Sequence, residues 1–205
     1  MKTKIVYVTL FLLISLFAPA LSFAATPVIF FSDMTDGPTS GWEGSSTIGA
    51  AVSIWGLNLG SSRGSATVNV CGVTLNNDAD FAEWGATTNP QTARGLQRIT
   101  FWLKSNMTTG AGTISVTTSN GTSQSLPFYC SPLGTNKIYF VSPSGSDTNA
   151  GTTTASPWAS FTKVRLTLAT GDIAYFRNGV WTADDGNGAV ARFSAGNHPN
   201  GLANK

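Results

Sequence analysis

Charged side chains are scarce: 12 Lys and Arg and 10 Asp and Glu make up 11% of 205 residues and leave a formal charge of +2. A nucleic-acid partner is held by a basic surface, and this composition excludes one. Histidine occurs once and cysteine twice, with no Cys-x-x-Cys pair, so no zinc framework or dithiol redox motif is built into the chain. Beyond the N-terminal stretch no apolar run approaches the ~20 residues that a membrane-spanning helix needs. Long internal repeats are also missing. What remains is rich in Ser, Thr and Gly, the last at 22 residues, which is the composition of an all-β extracellular protein.

The N-terminus has its own pattern. Lys2 and Lys4 precede an apolar run from Ile5 to Phe17 that is too short to cross a bilayer, and small residues follow at Ser22, Ala24 and Ala25. This is the layout of an export signal over residues 1–24, with cleavage between Ala24 and Ala25. Losing Lys2 and Lys4 with the signal brings the formal charge from +2 to zero. The expected product is secreted or held at the cell surface, with no transmembrane anchor once the signal is removed. On that route Cys71 and Cys130, the only two cysteines, are expected to pair in a structural disulfide.

From residue 25 to 131, short β-rich runs alternate with Gly, Asn and Ser clusters at the spacing of a β-sandwich. The expected strands are Val28–Phe31, Ala51–Trp55, Ala66–Val70, Gln97–Leu103, Thr113–Thr118 and Ser125–Tyr129, with no helix. Several runs carry the resemblance to a family: Pro27-Val28-Ile29, the stretch Gly49 to Gly60, Thr67 to Gly72, and Gly112 to Thr118 followed by Gly121, Ser123 and Leu126-Pro127-Phe128. In these the region resembles the immunoglobulin-like IPT/TIG domain. Gly56 and Gly60 read as the residues that let the chain bend out of its strand. Residues 132–136, which contain Pro132, form a short linker expected to hold the next module close.

Residues 137–205 open differently. Ile138 to Val141 reads as a strand and the Ser142 to Thr154 run as a long polar turn. Ser156 then stands as a helix cap with Pro157 in the first position. Trp158, Phe161, Val164 and Leu168 follow at helical spacing, Gly171 marks the stop, and Ile173–Phe176 makes a second strand before the Asn178-Gly179 turn. The run from Tyr139 to Asn149, with Gly151-Thr152, Ser156-Pro157-Trp158, Gly171-Asp172-Ile173 and Asn178 to Trp181, resembles the opening of pectate-lyase-like right-handed parallel β-helix proteins. Together the two resemblances imply a mainly β chain: an immunoglobulin-like β-sandwich followed by the helix-capped first coil of a truncated β-helix.

For function, the second resemblance implies the exported N-terminal portion of a protein that degrades an extracellular polysaccharide, an acidic one being typical of such enzymes. In the lyases of that superfamily bound Ca2+ offsets the sugar carboxylate while a base removes the α-proton, and in the hydrolases paired Asp residues act across the scissile bond. Those sites belong to central coils that this chain does not reach. No catalytic residue is therefore assigned, the chain itself is expected to be inactive, and Ca2+ is implied only for a full-length parent. The other reading is a non-catalytic adhesion protein in which the β-helix is a stalk. Asp147, Asn149, Asp172 and the Asp184-Asp185 loop read as solvated turns, and His198 as a surface-loop residue rather than a base.

The aromatic residues offer one candidate site. Ile99, Phe101 and Leu103 alternate onto one face of their strand while Thr100 and Trp102 take the other, and Val52 and Ile54 likewise oppose Ser53 and Trp55. Trp55 and Trp102 are the candidate carbohydrate-binding residues, able to stack on sugar rings; alternatively they pack against the second module or a loop. Trp42 and Trp84 sit in loop-like surroundings, and Trp158 and Trp181 read as core.

Overall fold

The computed structural model describes residues 25–86, 95–132 and 134–181. The segment up to Ala24 that reads as an export signal, the Asp184-Asp185 loop and His198 lie outside the described residues, of which Ala25 is the first. No helix among the described residues is long and apolar enough to cross a membrane.

The chain is mainly β. Its strands are β1 (Val28–Ser32), β2 (Asp36–Pro38), β3 (Ile48–Leu57), β4 (Thr67–Val70), β5 (Val73–Leu75), β6 (Phe81–Ala86), β7 (Gln97–Lys104), β8 (Gly110–Thr118), β9 (Gly121–Thr122), β10 (Leu126–Ser131), β11 (Ile138–Val141) and β12 (Ile173–Phe176), with helix α1 (Phe161–Thr167) before the last. One sheet runs β1-β3-β7-β6, and a second runs β2-β10-β8-β4-β5 with β9 beside β8. Period-two alternation sets which side chains go in. Val52, Ile54, Ile99, Phe101 and Leu103 of the first sheet meet Val68, Val70, Ile114, Val116 and Phe128 of the second in one sandwich-like core. Burying each such side chain contributes about 1.5–3 kcal/mol.

Strands β2, β5, β6 and β9 were absent from the expected set. Each is short or broken: β6 carries two register shifts against β7, and β2 joins β10 in parallel through Asp36 to Pro38. Trp84 accordingly sits in a strand, not a loop. Of the two glycines expected at the bend, Gly60 takes φ +87°. Gly56 stays in β3 opposite Ile29, where an added Cβ would lie 2.0 Å from the Val28 carbonyl oxygen. It allows β1 and β3 to approach rather than turning the chain.

After Ser131 the chain builds a separate parallel pair, with Ile138 opposite Ile173 and Val141 opposite Phe176. All four β11 residues are buried because the strand is covered on both faces. Ile138 and Phe140 join the sandwich core, while Tyr139 and Val141 pack with Trp158 and Val164. A second parallel bridge joins Val141 to Trp158. The helix begins later than expected: its cap is Ser160, whose Oγ accepts the Lys163 N–H at 3.0 Å, rather than Ser156. The reason is tertiary. Trp158 donates its N–H to Phe140 O at 2.9 Å and accepts the Ser142 N–H at 2.8 Å, so Pro157 and Trp158 are held in sheet geometry.

Asp147 completes the helix entry. It accepts the Ala159 and Ser160 N–H groups at 2.8 and 3.0 Å and the Ser160 hydroxyl at 2.5 Å. Partial desolvation alone would raise its pKa, but these hydrogen bonds and the nearby Lys163 charge outweigh it and hold the carboxyl below its ordinary 3.8. A carboxylate with a lowered folded pKa stabilises the fold at neutral pH, and that contribution disappears as pH falls below 4 through the folded value. Asp147→Asn is therefore expected to lower the thermal midpoint at pH 7 and to flatten the acid-side decline between pH 5 and 2. Equal midpoints for variant and wild type across that range would contradict this account.

Candidate functional site

The outward face of the first sheet carries the aromatic residues picked out by alternation. Trp55 of β3 stands opposite Phe31 of β1 and Arg98 of β7, and Ala51 stands opposite Trp102. The Phe31 and Trp55 rings stack at 5.1 Å and 18°. Phe31 is 42% exposed and its neighbour Phe30 48%, so this end of the face presents apolar ring surface to solvent. Arg98 extends the row by pairing with Glu83 of β6 through Nε at 2.7 Å and through its Nη2.

Trp102 lies nearer the second unit. Its ring meets the edge of Trp42 at 6.2 Å, and Trp42 in turn packs edge-on against Phe140 at 5.2 Å and Tyr175 at 5.1 Å. Trp42 is thus no loop ornament but the wedge between the two units. It sits in a short 3-10 turn preceded by Gly41 at φ +108°, facing Ile138. Tyr175 donates its hydroxyl to Ala51 O at 2.9 Å, and Glu43 accepts the Thr154 N–H at 3.0 Å across the same junction. Burial pushes the Tyr175 phenol up from its ordinary value, so the donor stays protonated at physiological pH.

Between the two tryptophans the face is polar. Ser53 and Thr100 share a hydroxyl contact at 2.9 Å, and Asp33 accepts the Ser53 N–H at 2.9 Å. Burial raises the Asp33 carboxyl, against the pull of the N–H groups it accepts. The indole Nε1 atoms of Trp55 and Trp102 are buried without a protein partner. Neither offers a donor to a ligand, so the chemistry open to both rings is stacking. The four rungs from Ala51 to Trp55 place the two tryptophans about 13 Å apart along the strands.

Among the described residues, the candidate oxygen ligands are spent on the fold. Asp172 accepts the Lys137 and Ala169 N–H groups at 2.7 and 3.0 Å, and Asn149 accepts Trp158 Nε1 at 3.0 Å and donates to Pro157 O at 2.8 Å. With Asp147 capping the helix, these residues do not make a calcium cradle. Among the described residues no group of three His, Cys, Asp or Glu side chains is placed to hold a metal ion. Cys71 and Cys130 are bonded to each other.

Phe31 was not among the aromatic residues picked out by alternation, for a definite reason. Side chains two apart on a strand share a face, which would turn Phe31 inward with Ile29, but a register shift between them turns Phe31 outward. The Phe30-Phe31 pair in the sequence is a weak signal of it.

No protein-family model matches the chain, and no curated protein matches it. Among solved structures the chain is similar to SGBP-B from a complex xyloglucan utilization locus in Bacteroides uniformis, at 16% identity and a TM-score of 0.35. That match covers 53% of this chain and 24% of the other.

Proposed function

We propose that this chain is the exported N-terminal part of a polysaccharide-degrading protein. In this reading an IPT/TIG-like sandwich over residues 25–131 anchors an extracellular glycan, and residues 137 onward, after the 132–136 linker, begin a pectate-lyase-like right-handed parallel β-helix. The catalytic coils, with any Ca2+ they use, continue that helix. The observation that carries the solenoid part is the stack of parallel contacts: Trp158 on one edge of β11 and β12 on the other, with α1 between them in sequence. Among the described residues β12 is paired on one edge only, which is what a first rung leaves for a second.

The anchoring role rests on Phe31 and Trp55, whose stacked rings offer a sugar an apolar surface, with Trp102 further along the same face beside the junction. Each aromatic contact is worth about 0.5–1.5 kcal/mol, so losing two corresponds to roughly a tenfold loss of affinity. Native electrophoresis through gels containing soluble polysaccharides is expected to show retarded migration of the protein and clearly weaker retardation of a Phe31→Ala/Trp55→Ala variant. Equal retardation of the two would remove this face from the proposal.

A further inference from the structure

The far end of the sandwich carries a second feature that the aromatic face does not explain. Leu57 lies six residues along β3 from Ala51 at the junction, about 20 Å away. There the 58–66 loop borders two hollows, of about 680 Å³ and about 310 Å³, that share Ser62 and Arg63 in their walls. Volumes of this size are typical of sites for small molecules and short chain segments.

The loop is anchored at its start and braced within. Asn58 donates to Thr26 O at 3.0 Å, the Leu59 N–H is accepted by Gln97 at 2.7 Å, Trp84 Nε1 donates to Leu59 O at 2.9 Å, and Arg63 donates to Ala66 O at 3.2 Å. Asn58 adopts a left-handed φ of +59°, a conformation that these contacts maintain. Three of these bonds tie Asn58 and Leu59 to the fold, the fourth closes the loop on itself, and Arg63 is tied to Asp78, so this wall is largely formed before any ligand arrives, which lowers the ordering cost of binding.

The lining sets the ligand's chemistry. The larger hollow presents Asn58, Ser62, Ser65, Ser119 and Asn120 around Leu57, with Arg63 its one charged group among the described residues. Arg63 is already neutralised by Asp78 through Nε at 2.5 Å. The smaller hollow adds Phe81 and Trp84, set edge to face at 5.0 Å, and the carboxylates of Asp78 and Glu83. Amides and hydroxyls donate to and accept from sugar hydroxyls, carboxylates accept from them, and an aromatic pair packs against C–H faces. A sugar carboxylate, by contrast, would find no free cation to offset its charge, because Arg63 is paired with Asp78 and Arg98 with Glu83.

We propose that this distal cleft, running from Asn120 across Ser62 to Trp84, is a binding site for an uncharged, hydroxyl-rich polysaccharide chain. The proposal rests on the polysaccharide reading above and extends it: besides the Phe31 and Trp55 face, the cleft gives a neutral chain a second hold at the end of the sandwich remote from the second unit, whatever glycan the coils process. Holding the chain there leaves the junction and the open edge of β12 unobstructed.

The test uses the purified protein in native gels containing hydroxyethyl cellulose, galactomannan or polygalacturonate, with Ser62→Leu filling the point where the hollows meet. A neutral polymer is expected to retard the wild type, with apparent affinity at least tenfold lower for Ser62→Leu and at least tenfold lower for polygalacturonate. Retardation of Ser62→Leu equal to wild type, or strongest retardation by polygalacturonate, overturns the cleft. Binding lost only in Phe31→Ala/Trp55→Ala overturns the cleft and keeps the polysaccharide reading, whereas no retardation by any polymer overturns both. Should Ser62→Leu fail to fold, amide chemical shifts of the wild type titrated with cellohexaose and mannohexaose decide. Changes at 58–66 and 118–120 support the cleft, and changes confined to β1 and β3 or none at all overturn it.

Discussion

Replacing Cys71 and Cys130 together by alanine is expected to destabilise the sandwich by roughly 4 kcal/mol, the chain-entropy figure for a loop of about sixty residues. The two positions are 59 apart in sequence, with Cα atoms 6.5 Å apart in the fold. Cys71 follows β4 and Cys130 lies in β10, two strands that each pair with β8 and not with each other. The bridge therefore passes over β8, and Gly112 is what lets it: a Cβ there would lie 2.9 Å from the Cys71 sulfur. Both cysteines are buried in the sandwich core, so the double variant loses packing as well as the crosslink. Urea unfolding followed by tryptophan fluorescence should show a markedly lower midpoint, with a steeper slope because the unfolded chain without the crosslink exposes more surface. An unchanged midpoint would mean that the bridge contributes nothing to the folded state.

The pairing was legible because two cysteines have one intramolecular connectivity. The core strands were legible for a different reason. In Gln97–Lys104 the side chains alternate cleanly, and where one face is buried a period of two is the only pattern that fits. What escaped the sequence has in each case a partner far along the chain. Ser156 has the right neighbours for a helix cap, yet Ser160 takes the role because Trp158 is claimed by Phe140, 18 residues earlier. Asp147 reads as a solvated turn residue, yet its acceptors are used on N–H groups 12 and 13 residues on. No local spacing marks such a contact. Trp42 and Trp84 lacked a periodic setting for the same reason: a 3-10 turn and a twice-shifted strand erase the alternation that assigns a face.

Trp158→Ala is expected to unfold the second unit while leaving the sandwich standing. Trp158 is 2% exposed and belongs to a cluster of only four buried side chains, with Tyr139, Val141 and Val164. Its ring stacks on Tyr139 at 4.2 Å, lies 5.5 Å from the Lys163 amine, and donates from Nε1 to Asn149 O at 3.0 Å. Gly151, at φ +75°, lies so close to the ring that a Cβ there would sit 2.5 Å from it. Truncating a buried tryptophan costs about 3–5 kcal/mol, and so small a cluster has no neighbour to collapse into the space. The sandwich is expected to survive that loss because its core draws most of its buried side chains from β1, β3, β4, β7, β8 and β10 and only Ile138 and Phe140 from the second unit. Hydrogen exchange should therefore show protection falling at Tyr139, Val141 and 173–176 while 97–104 and 110–118 keep wild-type protection. Uniform loss across both regions would mean that the two units unfold as one, and β11 would then have to be counted as a strand of the sandwich rather than the first rung of something beyond it.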